Sequence, residues 1–289
     1  MVYFMTFKNI VNDWQGQFPI LSPYTASTLF AKADIVLIGL RLDKDRFGGK
    51  EYRVYLQVLP LWVEKDKINI PFVDEELLHD ATLQLLIDCR FHDPLLEDFV
   101  EGQKKWGVTD PDGSKFRRER EWRLAKLGKA FKCAHQIFGT VLQEYVRLSD
   151  VLRLIDSARV RGIWSMCRIL ELKLALAYYF GNENLISQVK GNIEELVKDM
   201  ENGDCKAFDN ISAKEWQTDL YRRMEDRETF MRQVELNLNI KRISRLKPMH
   251  ISDDVDLSQH SDTSANIPDY VELRNGLLRR FKHFFGFDK

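Results

Sequence analysis

His79-Asp80 and His92-Asp93 are the residues of this chain whose types most directly suggest chemistry. An imidazole beside a carboxylate, occurring twice, offers ligands for a divalent ion that would turn a bound water into a nucleophile. His79, His92 and Asp93 are therefore the candidates for a metal-dependent hydrolase. Helical geometry works against them: at about 100° per residue the two histidines fall on different faces unless the helix breaks at Pro94. Glu76 and His79 have the spacing that puts two ligands on one helical face, but a carboxylate-bridged pair of metals needs a second such motif, and none occurs.

A metal-dependent nuclease would need an acid near one strand and an acid-x-lysine on the next. Asp34 opens one predicted strand, yet the next carries Gln57-Val58-Leu59, with leucine where the lysine would polarise the attack. The phosphate-cradling and nucleophile-elbow motifs are missing, as is the zinc-protease helix. No catalytic set is assigned on this basis, and neither a metal nor a cofactor is expected.

Two surfaces stand out instead. Residues 115–132 hold Lys115, Arg117, Arg118, Arg120, Arg123, Lys126, Lys129 and Lys132 against only Glu119 and Glu121, in a chain whose net charge is −1. Such a stripe can neutralise phosphates and gain from counterion release, so Arg117, Arg118, Arg120, Arg123, Lys126 and Lys129 are the nucleic-acid candidates. A solvated face with Glu119–Arg123 pairing is the simpler use of the same residues. Smaller basic stretches occur at Lys241–Lys247 and in the tail. The last segment, 269–289, repeats apolar residues at helical spacing: Tyr270, Leu273, Leu277, Phe281 and Phe284, with Arg274, Arg279, Arg280 and Lys282 among them. Leu273, Leu277, Arg280, Phe281 and Phe284 are the partner-binding candidates, since a basic aromatic amphipathic helix suits a groove, a twin subunit or an anionic surface.

The elements that must position these residues are legible in the hydrophobic periodicity. Residues 4–15 predict an amphipathic helix, and 25–32 a short helical segment. Asp34–Asp43 and Glu51–Val58 alternate apolar and polar residues around Gly48-Gly49, which predicts a hairpin with one buried face. Ile68–Val73 is a candidate third strand, and Asp74 an N-cap with Glu75 and Glu76 in the first helical turn. Residues 115–148 predict one long helix, because Leu127, Phe131, Ala134, Phe138, Val141, Tyr145 and Leu148 step as a heptad seam. Further helices are predicted over 150–180, from Leu185 to Met200, and after the Ser212–Glu215 capping box. Val234–Ile240 alternates and reads as strand or helix, helix being preferred, with Pro248 ending it.

With 289 residues, 44% hydrophobic and 30% charged, the chain has the apolar material for a core, and its near-neutral charge selects no acidic or basic partner. No secretory signal is read at the N-terminus; the apolar window 162–181 carries Arg168, Glu171 and Lys173, which fits a buried helix better than a membrane span. The four cysteines are too scattered for a CxxC site and suit a reducing cytosol. The expected fold is α+β and predominantly helical, with a small N-terminal antiparallel hairpin or sheet packed on a helical bundle. Residues 1–248 are expected to form one compact unit, with a candidate sub-domain break near 107–114, then an acidic disordered linker over 249–268 and the terminal helix. The expected function is a non-catalytic cytosolic interaction subunit. It would act through the heptad-patterned helix and the tethered tail, on a protein partner or a second copy. Nucleic-acid association is the alternative and metal-dependent hydrolysis the third reading; a membrane is not an expected partner.

Overall fold

The computed structural model describes residues 7–44, 52–69, 73–76, 128, 131–132, 134–157, 163–203 and 211–253. It is mixed α/β with a sheet built largely from N-terminal strands. Contacts divide the described residues into two units, one from Met1–Asp150 with Asp226–Ser252, the other from Val151–Glu225 with Asp253.

In the first unit, α1 (Phe7–Gln17) buries Ile10, Val11 and Trp14, one stripe of the predicted amphipathic helix. The strands are β1 (Ser22–Pro23), β2 (Thr28–Ala33), β3 (Val36–Lys44), β4 (Tyr52–Pro60), β5 (Val73–Glu76), β6 (Tyr145–Arg147) and β7 (Pro248–Ser252). They lie in the order β5-β4-β3-β2-β7-β6, with β1 also on β2. The β2–β5 meander is antiparallel, whereas β7 runs parallel to both β2 and β6, so the sheet is mixed.

The predicted hairpin is β3–β4, with Val36 opposite Pro60 and Leu42 opposite Val54. Its even positions, Val36 to Leu42 and Val54 to Val58, are buried as the alternation requires. The opposite face is covered as well at Leu37, Gln57 and Leu59, while Arg41 stacks 4.9 Å over the Tyr55 ring at the other end. Gly39 faces Phe30 across the β2–β3 ladder. A Cβ there would overlap the Leu29 carbonyl oxygen, so only glycine lets the two strands approach this closely.

Five expectations change. The helical segment expected at 25–32 is β2, whose residues are buried on both sides except at Lys32. A two-residue turn joins it to β3; Asp34 adopts φ 50° there, the left-handed region that a short polar side chain tolerates. The third strand starts later than expected, because Lys65–Lys67 form a 3-10 turn and Ile68 is buried after it. Residues 73–76 are then β5, not the first turn of a helix: Asp74, Glu75 and Glu76 lie opposite Gln57, Leu56 and Tyr55, the edge of β4 outweighing their capping preference. The single helix expected over 115–148 ends after Phe138, where the Gly139 amide donates to the His135 carbonyl; Gly139-Thr140 favour helix weakly, and Tyr145–Arg147 pair with β7 instead. Finally, residues 249–252 belong to β7, so the linker expected from 249 does not begin there; Met249 and Ile251 are buried.

The second unit holds most of α2 (Leu148–Ser157), then α3 (Ile163–Phe180), α4 (Glu183–Asn202) and α5 (Ala213–Glu225). α3 is buried around most of its circumference, as its apolar sequence predicts. It ends at Gly181, whose φ is 67°. Asn182 caps α4 by accepting from the Leu185 amide. The Ser212–Glu215 capping box forms reciprocally, satisfying a donor at each position. The Ser212 amide donates to Glu215 Oε2 (2.9 Å), and the Glu215 amide to Ser212 Oγ (3.2 Å). Among the described residues, no helix is long and apolar enough to cross a membrane.

The chain then returns to the first unit, where the alternating segment 234–240 is helical. It lies largely within α6 (Arg227–Leu238), followed by the short α7 (Lys241–Ser244). Buried Asn237 explains why a polar residue sits on its inner face. Its Nδ2 donates to the carbonyls of Leu61 (2.8 Å) and Val63 (2.6 Å), where the chain overruns β4, and Trp62 between them stacks on Phe230. Asn237→Ala strands both acceptors and should lower stability by roughly 1–3 kcal/mol in urea unfolding. An unchanged midpoint would show that water replaces the amide.

Candidate interaction surfaces

The strand β7 is the last described element of the first unit. Three contacts outside its ladder with β2 lock it. The His250 amide donates to the Glu144 carbonyl (2.8 Å), the Ile251 amide to Asp34 Oδ2 (2.9 Å), and Ser252 Oγ to the Val146 carbonyl (3.4 Å). Asp34 therefore both turns the chain and caps a strand more than two hundred residues away in sequence. That is its described role, in place of the metal-binding acid considered for a nuclease; Gln57 is buried in β4 opposite Gly39. Beside β7, Tyr145 is 69% exposed and its ring lies 5.7 Å from that of His250.

Of the described seam residues, all but the exposed Tyr145 are spent inside the first unit. Phe131, Ala134, Phe138 and Val141 are buried. Phe131 meets Trp14 edge-on at 4.9 Å, and His135 lies 4.6 Å from Phe18. Phe131 and His135 thus meet α1 and the turn after it, and the buried part of the seam belongs to the chain's own core.

In the second unit the prominent feature is a buried carboxylate. Glu171 sits in the apolar α3 at 1% exposure. Its Oε1 accepts from Arg223 Nη1 (2.9 Å) and its Oε2 from Arg168 Nη1 (3.3 Å). Arg223 Nε also reaches Asp219 (2.9 Å), to which Arg222 donates as well (2.6 Å). Burial pulls the Arg223 guanidinium down, but Glu171 and Asp219 overcome it and hold its pKa above the ordinary value. Burial likewise works to raise the Asp219 carboxyl, and Arg222 with Arg223 bring it below its usual range. One helical position before Arg168, burial pushes the Cys167 thiol up to about 12, Glu171 adding to the effect against Arg168. A thiol held protonated in this way is inert. Glu171 is an ion-paired pin between α3 and α5, each of its oxygens held by an arginine.

A second junction joins α3, α4 and α5. Lys190 Nζ lies 5.5 Å from the Tyr178 ring and 4.8 Å from the Tyr221 ring, and donates to Glu225 (3.1 Å). An ammonium between two ring faces is attracted by both quadrupoles. Hydrogen bonding to Tyr178, then to Glu225, holds the lysine above its ordinary pKa despite some desolvation. A shallow depression of about 440 Å³ on α5 is lined by Ser212, Lys214, Glu215, Thr218, Asp219 and Arg222, but its two acids are committed to Ser212 and to the arginines.

The residues singled out in the sequence fall mostly elsewhere. His79, His92 and Asp93, the basic residues Arg117, Arg118, Arg120, Arg123, Lys126 and Lys129, and Leu273, Leu277, Arg280, Phe281 and Phe284 all lie outside the described residues. So does the break expected near 107–114. Among the described residues, no group of three His, Cys, Asp or Glu could hold a metal ion. Sequence reasoning missed the pinning role of Glu171, for which an acid inside an apolar helix was the available signal. The aromatic seat of Lys190 and the Asn237 clamp depend on neighbours distant in sequence and left no local signal. The chain matches no family model, no curated protein and no solved structure.

Proposed function

We propose that the protein is a non-catalytic interaction subunit whose handle is the basic aromatic segment 269–289. The observation that carries the reading is the anchoring of β7. A strand held on both sides, and capped by Asp34, gives the 36 residues after Asp253 a fixed point of departure from the sheet. A recognition segment tethered to a rigid body searches a small volume, which raises its effective concentration at a neighbouring groove. Leu273, Leu277, Phe281 and Phe284 supply the apolar stripe and Arg280 a flanking charge. The heptad-patterned helix is left out of this reading, because Phe131, Ala134 and Phe138 are already buried in the chain's own core.

Deleting 254–289 while keeping β7 tests the reading. The truncated protein is expected to unfold at the temperature of the full chain and to lose its stoichiometric partner, whether another protein or a second copy, in affinity purification and sedimentation. Retention of that partner by the truncated protein would contradict it.

A further inference from the structure

The fold gathers five cations from two distant parts of the sequence onto one edge of the first unit. Four come from the turn between α6 and β7: Lys241, Arg242, Arg245 and Lys247, all exposed. The fifth is Lys32 of β2, whose Nζ donates to the Ser244 carbonyl (3.1 Å), while its amide donates to the Lys247 carbonyl (2.9 Å). Lys247 Nζ reaches the Pro19 carbonyl (2.6 Å), and the Arg242 guanidinium lies 5.2 Å over the Tyr24 ring. Tyr24 in turn donates to Asn69 and meets Phe30 edge-on, so the surface under Arg242 is held in place.

The two segments that build this edge, 14–33 and 236–252, contain no aspartate or glutamate. Among the described residues none of the five cations makes an ion pair, whereas Arg147, Arg168, Lys173, Lys190, Arg222 and Arg223 all do. Glu64, on the turn near Asn69, is taken by Lys67 (2.6 Å). Five like charges with no ion-pair partner among the described residues raise one another's electrostatic energy, and a polyanion relieves it.

We infer that this edge binds the phosphate backbone of a nucleic acid. Lysines act there as point charges, while the arginines offer planar donor forks suited to phosphate oxygens, one of them presented on an aromatic face. Lipid is the poorer fit, because interfacial binding needs an apolar face to insert. Among the described residues, the large exposed apolar side chains are Tyr145, Trp164, Ile211 and Leu236; of these only Leu236 belongs to the two segments and only Tyr145 is seen against one, at His250. The contacts are to backbone charge, so binding is expected without sequence preference.

The test is the salt dependence of binding between the full chain and a short fluorescent DNA duplex, read by anisotropy. The triple variant Lys241→Ala, Arg242→Ala, Arg245→Ala leaves the buried Ile243 and Leu246 untouched, and keeps the Lys32 and Lys247 contacts to the backbone. Each neutralised duplex phosphate contributes a slope of about 0.9 in log affinity against log salt, so the variant's slope is expected to be shallower by about 2.7. The single substitution Arg245→Glu is a second check, since it should weaken binding at low salt with unchanged unfolding. A slope identical in wild type and triple variant would place any nucleic-acid binding elsewhere on the chain and overturn the inference. Absence of duplex binding, together with capture by phosphatidylserine vesicles or polyglutamate, would overturn it equally.

Discussion

Glu171→Ala is expected to destabilise the helical unit by about 3–5 kcal/mol, the usual loss when one partner of a buried ion pair is removed. The Glu171 side chain is almost wholly enclosed, and both its oxygens are engaged, by arginines on α3 and α5. Truncation leaves a partly buried Arg223 with, among the described residues, the half-exposed Asp219 as its remaining ion-pair partner. Glu171→Gln keeps the shape and one acceptor, so its loss should be smaller. A cycle combining Glu171→Ala with Arg223→Ala should recover part of the loss, because the stranded charge goes too. Urea unfolding followed by circular dichroism measures all three. A loss below about 1 kcal/mol for Glu171→Ala would mean that the pair is screened as a surface pair is, against its burial. The Asp219 arm of the network has a pH signature. Because that carboxyl is held below its ordinary 3.8, its contribution is complete above that value and is lost as pH falls through the lower folded-state pKa.

Gly39→Ala is expected to cost about 3 kcal/mol or more, at or beyond the upper end for overpacking. The atoms in the way decide the size of the effect. A methyl group would stand 2.7 Å from the Phe30 ring and closer still to the Leu29 carbonyl oxygen. The ring can rotate, but the carbonyl belongs to the backbone of β2, where Leu29 is in register with Leu40 and Phe30 with Gly39. Relief therefore requires β2 and β3 to separate in the middle of the sheet. The variant should unfold at much lower urea or fail to accumulate in soluble form. Stability within about 0.5 kcal/mol of wild type, the range of neutral surface changes, would show that the close approach is not maintained.

How far these features are legible depends on whether the signal is local. The β3–β4 hairpin is written as strict alternation, and the Ser212–Glu215 cap as a spacing of three; both form as the sequence predicts. Thr28–Ala33 reads as a helical turn because it is buried on both faces as β2, and a strand covered on both sides loses its period. β7 offers only Met249 and Ile251 as an alternating pair, too short to register after a proline. The acids of β5 read as helix-starting residues because their pairing with the β4 edge is a tertiary fact. The long heptad seam predicts one helix, yet the structure uses Phe131 and Phe138 in a core and gives Tyr145 to a strand. Of the basic edge, Lys241–Lys247 is visible as a run of charge, but Lys32 and Tyr24 join it only through the fold.

The tethered segment is the proposed means of binding, and a competition experiment addresses it most directly. The complex isolated with the full chain would be challenged with a synthetic peptide of residues 269–289, beside the same peptide with Leu277 and Phe281 changed to aspartate. Release of the partner by the first peptide and retention against the second is the predicted result. A complex indifferent to both would place the partner's contact on the folded units and contradict the central claim.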